Sequence, residues 1–325
     1  MTFRVDDHGA STPPDVIRVL VNDTWGGELH PAQAKLFPWA DVRRLDYKAL
    51  RNPHGHMVLV EFLLALKRAH IEKYGILPNR VEVDMFPFLE MQRKYPDSWF
   101  TNIAKKKYHA VINSWGDASR SILDMAFAKS KFAQSDKRKR IEDAVGDTLL
   151  FWASGNSDVS ERGKPDVQLN LNYTQYLLRR FIESSIIVGS CDQVGLPSTF
   201  SSDGWVDVAY RGENILLYNP INRKYQKGQG TSFSNPAASG DCVGRGLFTA
   251  EGVRAYFKAR ATSHPSWDGD KLHPKFGEGV IVFDGEKQVT SDVLAMPLSW
   301  HDNKKLTVFN HRRFISGLKL RRVSR

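Results

Sequence analysis

Gly228-Gln229-Gly230-Thr231-Ser232-Phe233-Ser234-Asn235-Pro236-Ala237-Ala238-Ser239-Gly240 is the stretch at which the fold of this chain declares itself. Its glycines let the backbone turn sharply. A serine in the first turn of the helix that follows gains from N–H groups lacking an intrahelical partner and from the positive end of the helix dipole. Pro236 fits an early helical position better than a later one. By itself the pattern is also that of a capping serine ahead of a small-residue helix.

Three segments upstream bear on the same reading. Val16 to Val21 is a nearly continuous apolar run bounded by Pro14 and by Asn22-Asp23, which suits a strand buried on both faces of a parallel sheet. Asp23 closes it, in Asn22-Asp23-Thr24-Trp25-Gly26-Gly27, where an ordinary turn is the plain alternative. His54 opens a helical pattern in which Met57, Val58, Phe62, Leu63 and Leu66 recur at three- and four-residue steps until Gly75. An imidazole there suits a general base, with one nitrogen for a nucleophile and the other held by a carboxylate. His56 is the rival base, and a helix-capping histidine is the plain alternative. Metal binding by the two histidines lacks a third and fourth ligand at suitable spacing. Phe151-Trp152-Ala153-Ser154-Gly155-Asn156 ends a further buried strand in small residues and an amide, whose N–H₂ suits a developing oxyanion or, equally, a turn.

The rest of the chain supplies the frame. Further strands are expected at Val81 to Phe86, Ala110 to Ser114, Thr148 to Ala153, Ser185 to Ser190, Val206 to Tyr210 and Asn214 to Tyr218. Helices are expected over Asp97 to Tyr108 and Ala118 to Phe132, with a weaker pattern over Arg140 to Gly146. Strands alternating with helices predict an α/β fold of parallel β-α-β units, whose functional loops follow the C-terminal ends of the strands. One principal domain over residues 14–285 is expected. A lead of residues 1–13 precedes it, and a basic C-terminal extension over 286–325 includes apolar alternation at Lys305 to Phe309.

Composition removes several classes. The 325 residues contain no apolar run long enough to cross a bilayer, and the N-terminus has no apolar stretch after a basic start, so neither a membrane protein nor a secretory signal is expected and the location reads as cytoplasmic. Cys191 and Cys242, each in an apolar stretch, read as buried free thiols. The net charge of +10 is concentrated in Lys105-Lys106-Lys107, in Lys137-Arg138-Lys139-Arg140 and in a tail from Lys304 to Arg325. Such clusters are solvated faces, or, in the tail above all, a surface for nucleic acid or an acidic protein.

Taken together, the four segments resemble the subtilases, a family of serine peptidases (peptidase S8). Gly230-Thr231-Ser232 with Pro236 matches the G-T-S-x-x-x-P signature. Asp23 matches V-x-D-T/S, His54-Gly55-His56-Met57-Val58 matches H-G-T-H-V, and Asn156 matches A-A-G-N, in the family's order. Val111 to Gly116 resembles the strand V-I-N-x-S-L-G, Ser185 to Cys191 with Ser198 to Ala209 resembles two further stretches, and Phe276 to Val280 resembles the closing segment. The resemblance covers residues 14–285. It implies a subtilisin-like three-layer fold and a serine endopeptidase with Asp23, His54 and Ser232 as triad, Asn156 in the oxyanion hole and no cofactor or metal. It further implies Ser114, Trp115 and Gly116 pairing with a protein or peptide substrate as an added strand, and Ala153, Ser154 and Gly155 lining a small-walled primary pocket open to a sizeable apolar side chain. Trp115 either narrows that cleft or packs in the core. Two departures stand out: Trp25 replaces a usual Gly, and His56-Met57 replaces Thr-His. They leave a catalytically silent, peptide-binding relative as the alternative. The usual prosegment is missing ahead of the first strand, which implies folding without one or control by a regulatory protein partner.

Overall fold

The computed structural model describes residues 15–23, 29, 31–45, 53–87, 98–115, 119–120, 131–156, 171–202, 206–222, 224–262, 277–282 and 307–308. Trp25, Gly116, most of the helix expected at Ala118 to Phe132, the 1–13 lead and the basic tail beyond Val308 lie outside them.

Eight strands form the central sheet: β1 (Ile17–Asp23), β2 (Ala40–Arg44), β3 (Val81–Pro87), β4 (Ala110–Asn113), β6 (Leu149–Ala153), β8 (Ser185–Cys191), β9 (Val208–Arg211) and β12 (Val280–Ile281). Their order is β12-β9-β8-β6-β4-β1-β3-β2, and every neighbouring pair is parallel. The short pair β5 (Ser119–Arg120) and β7 (Leu171–Asn172) stands apart. Antiparallel β10 (Ile215–Asn219) and β11 (Lys224–Gly228) form a second sheet, to which β13 (Thr307–Val308) adds in parallel. Within the alternation expected at Lys305 to Phe309, Thr307 and Val308 are therefore a strand against β11, in the stretch read as an extension.

Parallel strands need both faces covered, and two apolar clusters cover them. Along β1, Val19 and Val21 face one cluster while Leu20 faces the other, as the two-residue period of a strand demands. The first cluster holds α2 (His54–Tyr74), α6 (Thr231–Gly244) and α7 (Ala250–Arg260); the second holds α3 (Ser98–Lys105), α4 (Asp136–Val145) and α5 (Tyr173–Phe181). A short helix, α1 (Pro31–Leu36), precedes β2. The result is the expected α/β fold: a mainly parallel sheet between two helical layers.

Most expected strands agree within two residues. The weak pattern at Arg140 to Gly146 is the end of α4, which Ser135 caps by accepting from the Arg138 N–H. The 137–140 cluster thus lies on a helix that turns only Ile141 and Val145 fully inward, and Arg138 pairs with Glu142 at 2.8 Å, as a solvated face would have it. Lys106 likewise bonds Asp84 at 2.8 Å. Both thiols are buried and unbridged, and burial pushes Cys191 up to about 12 and Cys242 well above its ordinary value. No helix among the described residues is long and apolar enough to cross a membrane.

Two helices are buried more deeply than the rest. All 14 residues of α6 are buried, and α2 buries 14 of its 21. A Cβ on Gly240 would lie 2.5 Å from the Phe62 carbonyl oxygen and 2.8 Å from Ala65 Cβ; one on Gly244 would lie 2.5 Å from the Leu66 oxygen and 2.9 Å from Ala69 Cβ. A four-residue step in α6 thus matches a four-residue step in α2, so the two helices run parallel, in register, with backbones nearly touching. Carried back two turns, the same register sets Ser232 level with His54. Gly240→Ala should therefore lower stability by about 1–3 kcal/mol, read from the urea midpoint, because the backbone of α2 has to shift to admit the methyl group.

Candidate active site

The sheet order reverses between β1 and β4: the chain from β1 to β3 occupies one side and the chain from β4 onward the other. Crevices for ligands open at such points, beyond the carboxyl ends of the strands. Asp23 is the last residue of β1, Ser114 follows β4, Ala153 ends β6, and Ser154, Gly155 and Asn156 follow it.

His54 is the first residue of α2, and its Nδ1 lies 2.7 Å from Asp23 Oδ1, with Asp23 1% and His54 2% exposed. A carboxylate only accepts, so the bond puts the proton on Nδ1 and leaves Nε2 as the basic nitrogen. His56 is no base of this kind: its Nε2 lies 2.9 Å from Gln33 Oε1, both side chains fully buried. That bond ties α1 to the first turn of α2 beside His54, and it was not foreseen from the sequence.

Ser232 is the second residue of α6, which follows Gly230 at φ 149°, a conformation open essentially to glycine. Its backbone N–H is among the first four of the helix and so has no intrahelical acceptor. Its hydroxyl donates to the Ser114 carbonyl at 3.1 Å. The Phe233 ring stands 5.6 Å from the His54 ring, which holds the start of α6 against the start of α2. Pro236 falls inside the helix and not at its first position, and there its missing N–H leaves the Ser232 carbonyl without the usual helical donor.

Asn156 lies on the other flank of the serine. Its Oδ1 accepts from the Thr231 N–H at 2.9 Å and the Thr231 hydroxyl at 3.1 Å. A backbone N–H can only donate, so the oxygen is fixed on that side and the amide's N–H₂ is the end left for another acceptor. The Thr231 hydroxyl in turn accepts from the Gly155 N–H at 3.2 Å.

Three buried asparagines underlie the cluster. Asn22 donates to Asn113 Oδ1 at 2.8 Å; Asn113 donates to the Phe151 carbonyl at 3.3 Å; Asn235, one turn after Ser232, donates to the Asn113 carbonyl at 3.1 Å and to Ser114 Oγ at 3.3 Å. They link the ends of β1, β4 and β6 to α6. Asn235 and Asn113 stood in quoted motifs, but nothing in the pattern distinguishes a bridging amide from a turn residue.

Of the expected cleft residues, the Ser154 N–H donates to the Val188 carbonyl at 2.9 Å, and its hydroxyl meets that of Ser201 at 3.4 Å. Trp115 is 8% exposed, with its ring edge-on to Trp152 at 5.0 Å inside the second cluster, so core packing is the role its side chain has. Gln175, from α5, donates to the Trp115 carbonyl at 2.8 Å and to the Ala153 carbonyl at 3.2 Å. No signal marked it. No group of three or more His, Cys, Asp or Glu able to hold a metal occurs among the described residues.

Fold and site thus define a subtilisin-like α/β protein whose strand ends gather an Asp–His pair, a helix-borne serine and an asparagine. The subtilase family model matches residues 89–243, a stretch that includes Asn156 and Ser232 but neither Asp23 nor His54. No curated protein matches the chain in sequence. Among solved structures it resembles the prenylagaramide maturation protease PagA (20% identity over 82% of this chain and 90% of that one, TM-score 0.54). It also resembles a lanthipeptide protease (13%, 82% and 85%, TM-score 0.55) and a cold-adapted subtilisin-like serine proteinase (16%, 82% and 88%, TM-score 0.53). The expected subtilase resemblance and the subtilisin-like fold are borne out, and the two findings together support a subtilisin-like protease. Gln33→Leu is expected to cost about 1–3 kcal/mol in chemical denaturation, because the buried His56 ring loses its amide acceptor.

Proposed function

We propose that this chain is a serine endopeptidase that cleaves peptide bonds through an acyl-enzyme. The observation that carries the reading is the buried 2.7 Å bond from His54 to Asp23, at the start of a helix whose parallel neighbour holds Ser232 in its first turn. Ser232 Oγ attacks the scissile carbonyl as its proton passes to His54 Nε2, while Asp23 holds the ring's tautomer and stabilises the imidazolium. Charge developing on the carbonyl oxygen is met by the Ser232 backbone N–H, helped by the helix dipole, and by the Asn156 amide, whose oxygen is already occupied by Thr231. His54 then returns the proton to the leaving amine. It next takes one from water as the water oxygen attacks the acyl carbon, and passes that proton to Ser232 Oγ as the acyl–oxygen bond breaks, which frees the acid product and restores the serine.

Every proton in this cycle moves between serine, imidazole, amine and water, so no cofactor is called for. A substrate strand running past Ser114 and Gly116 would place its carbonyl beside Ser232, and Ala153 to Gly155 would face the side chain preceding the cut.

The test is labelling by a fluorophosphonate. The wild type should react, and Ser232→Ala should not; a wild type that stays unlabelled yet binds peptide is the silent relative instead. Asn156→Ala should retain labelling but lower kcat on a peptide substrate by about 10²–10³-fold with a small change in KM, as removal of one oxyanion donor does.

A further inference from the structure

The two strand ends expected to wall the primary pocket are joined by a single side chain. Gln175 is 2% exposed, and its Nε2 reaches the carbonyl of Trp115 past the end of β4 and that of Ala153 at the end of β6. Since β4 and β6 are neighbouring parallel strands, the carboxamide bridges the chain just past the pairing of the one to the last residue of the other. Both hydrogens of its N–H₂ are used on the two walls. Its Oε1 is buried and has no hydrogen-bond partner among the described residues. Buried acceptors are nearly always satisfied, so an oxygen left over between the two strand ends expected to wall the primary pocket suits a donor brought by the ligand.

We propose that Gln175 is a specificity-determining residue: its carboxamide forms a polar floor between the walls at 114–115 and 153–155, and Oε1 accepts a hydrogen bond from the substrate side chain at P1. This rests on the peptidase reading and changes its expected specificity. Small walls alone would admit a sizeable apolar group; a polar floor favours a short side chain carrying an N–H or O–H, such as Asn, Ser or Thr. Asn and Leu separate the two cases, being close in size and shape while only Asn donates. An apolar P1 group buried over Oε1 would leave that oxygen unsatisfied, the asymmetry by which enzymes reject isosteres lacking a hydrogen-bonding group.

Digestion of a randomised peptide library by the full chain, with new termini read by mass spectrometry, tests this. The expected result is P1 Asn enriched over P1 Leu by about tenfold, the ratio one net hydrogen bond supplies. Gln175→Met, matched in length but unable to bond, should bring that ratio to unity or below while fluorophosphonate labelling persists. A wild type that favours Leu, Met or Phe at P1 overturns the proposal, and that arm decides even if the variant fails to fold. So does a Met variant that cleaves more slowly with an unchanged ratio, which would make Gln175 a brace alone. Absence of labelling in the wild type overturns the peptidase reading itself, and this inference with it.

Discussion

The close approach of α2 and α6 is the constraint from which the site follows. Glycine at 240 and 244 lets a fully buried helix and a largely buried one run parallel at backbone contact, and that register, set in the middle of the molecule, brings the helices' first turns together. His54 stands in the first turn of α2 and Ser232 in the first turn of α6, the two side chains to which the proposed reaction assigns base and nucleophile. Interiors packed to crystal-like density transmit such a register without slack, so a displacement at Gly240 would be felt two turns away.

Around that seam, polar groups have been buried at a cost that their hydrogen bonds offset. Asp23 is inside and meets His54; His56 is inside and meets Gln33; Asn22, Asn113 and Asn235 cross-link β1, β4, β6 and α6. The apolar clusters hold the layers together without regard to small sliding motions, whereas these directional bonds fix which residue faces which. The crevice stands at the reversal of strand order, where β1 and β4 lead away in opposite directions and strand ends are left open for such residues.

Asp23, His54, Ser232 and Asn156 stood out in the sequence as candidates because glycine-bounded motifs at strand ends and helix starts have local signatures, and the structure places them at those strand ends and helix starts. Most parallel strands were legible too, as short runs buried on both faces. Strand β2, with its sequence Ala-Asp-Val-Arg-Arg, was not, because an edge strand keeps charged residues on its open side. Helix α7 was missed because it buries only Val253 and Phe257 fully, too little to produce a helical period. Pro236 was misplaced by several residues because a proline's fit at the first turn is a preference, and the buried setting of α6 outweighs it.

The sequence by itself determined the fold class and the family resemblance, since each depends on residues near one another in the chain. Tertiary structure alone decided that His54 and not His56 meets the carboxylate, that the Asn156 oxygen is taken by Thr231, that Trp115 turns into the core, and that Gln175 spans two strand ends. The reason is directional: a hydrogen bond between residues far apart in sequence depends on distance and angle, and these exist only once the helices and strands have been packed against one another.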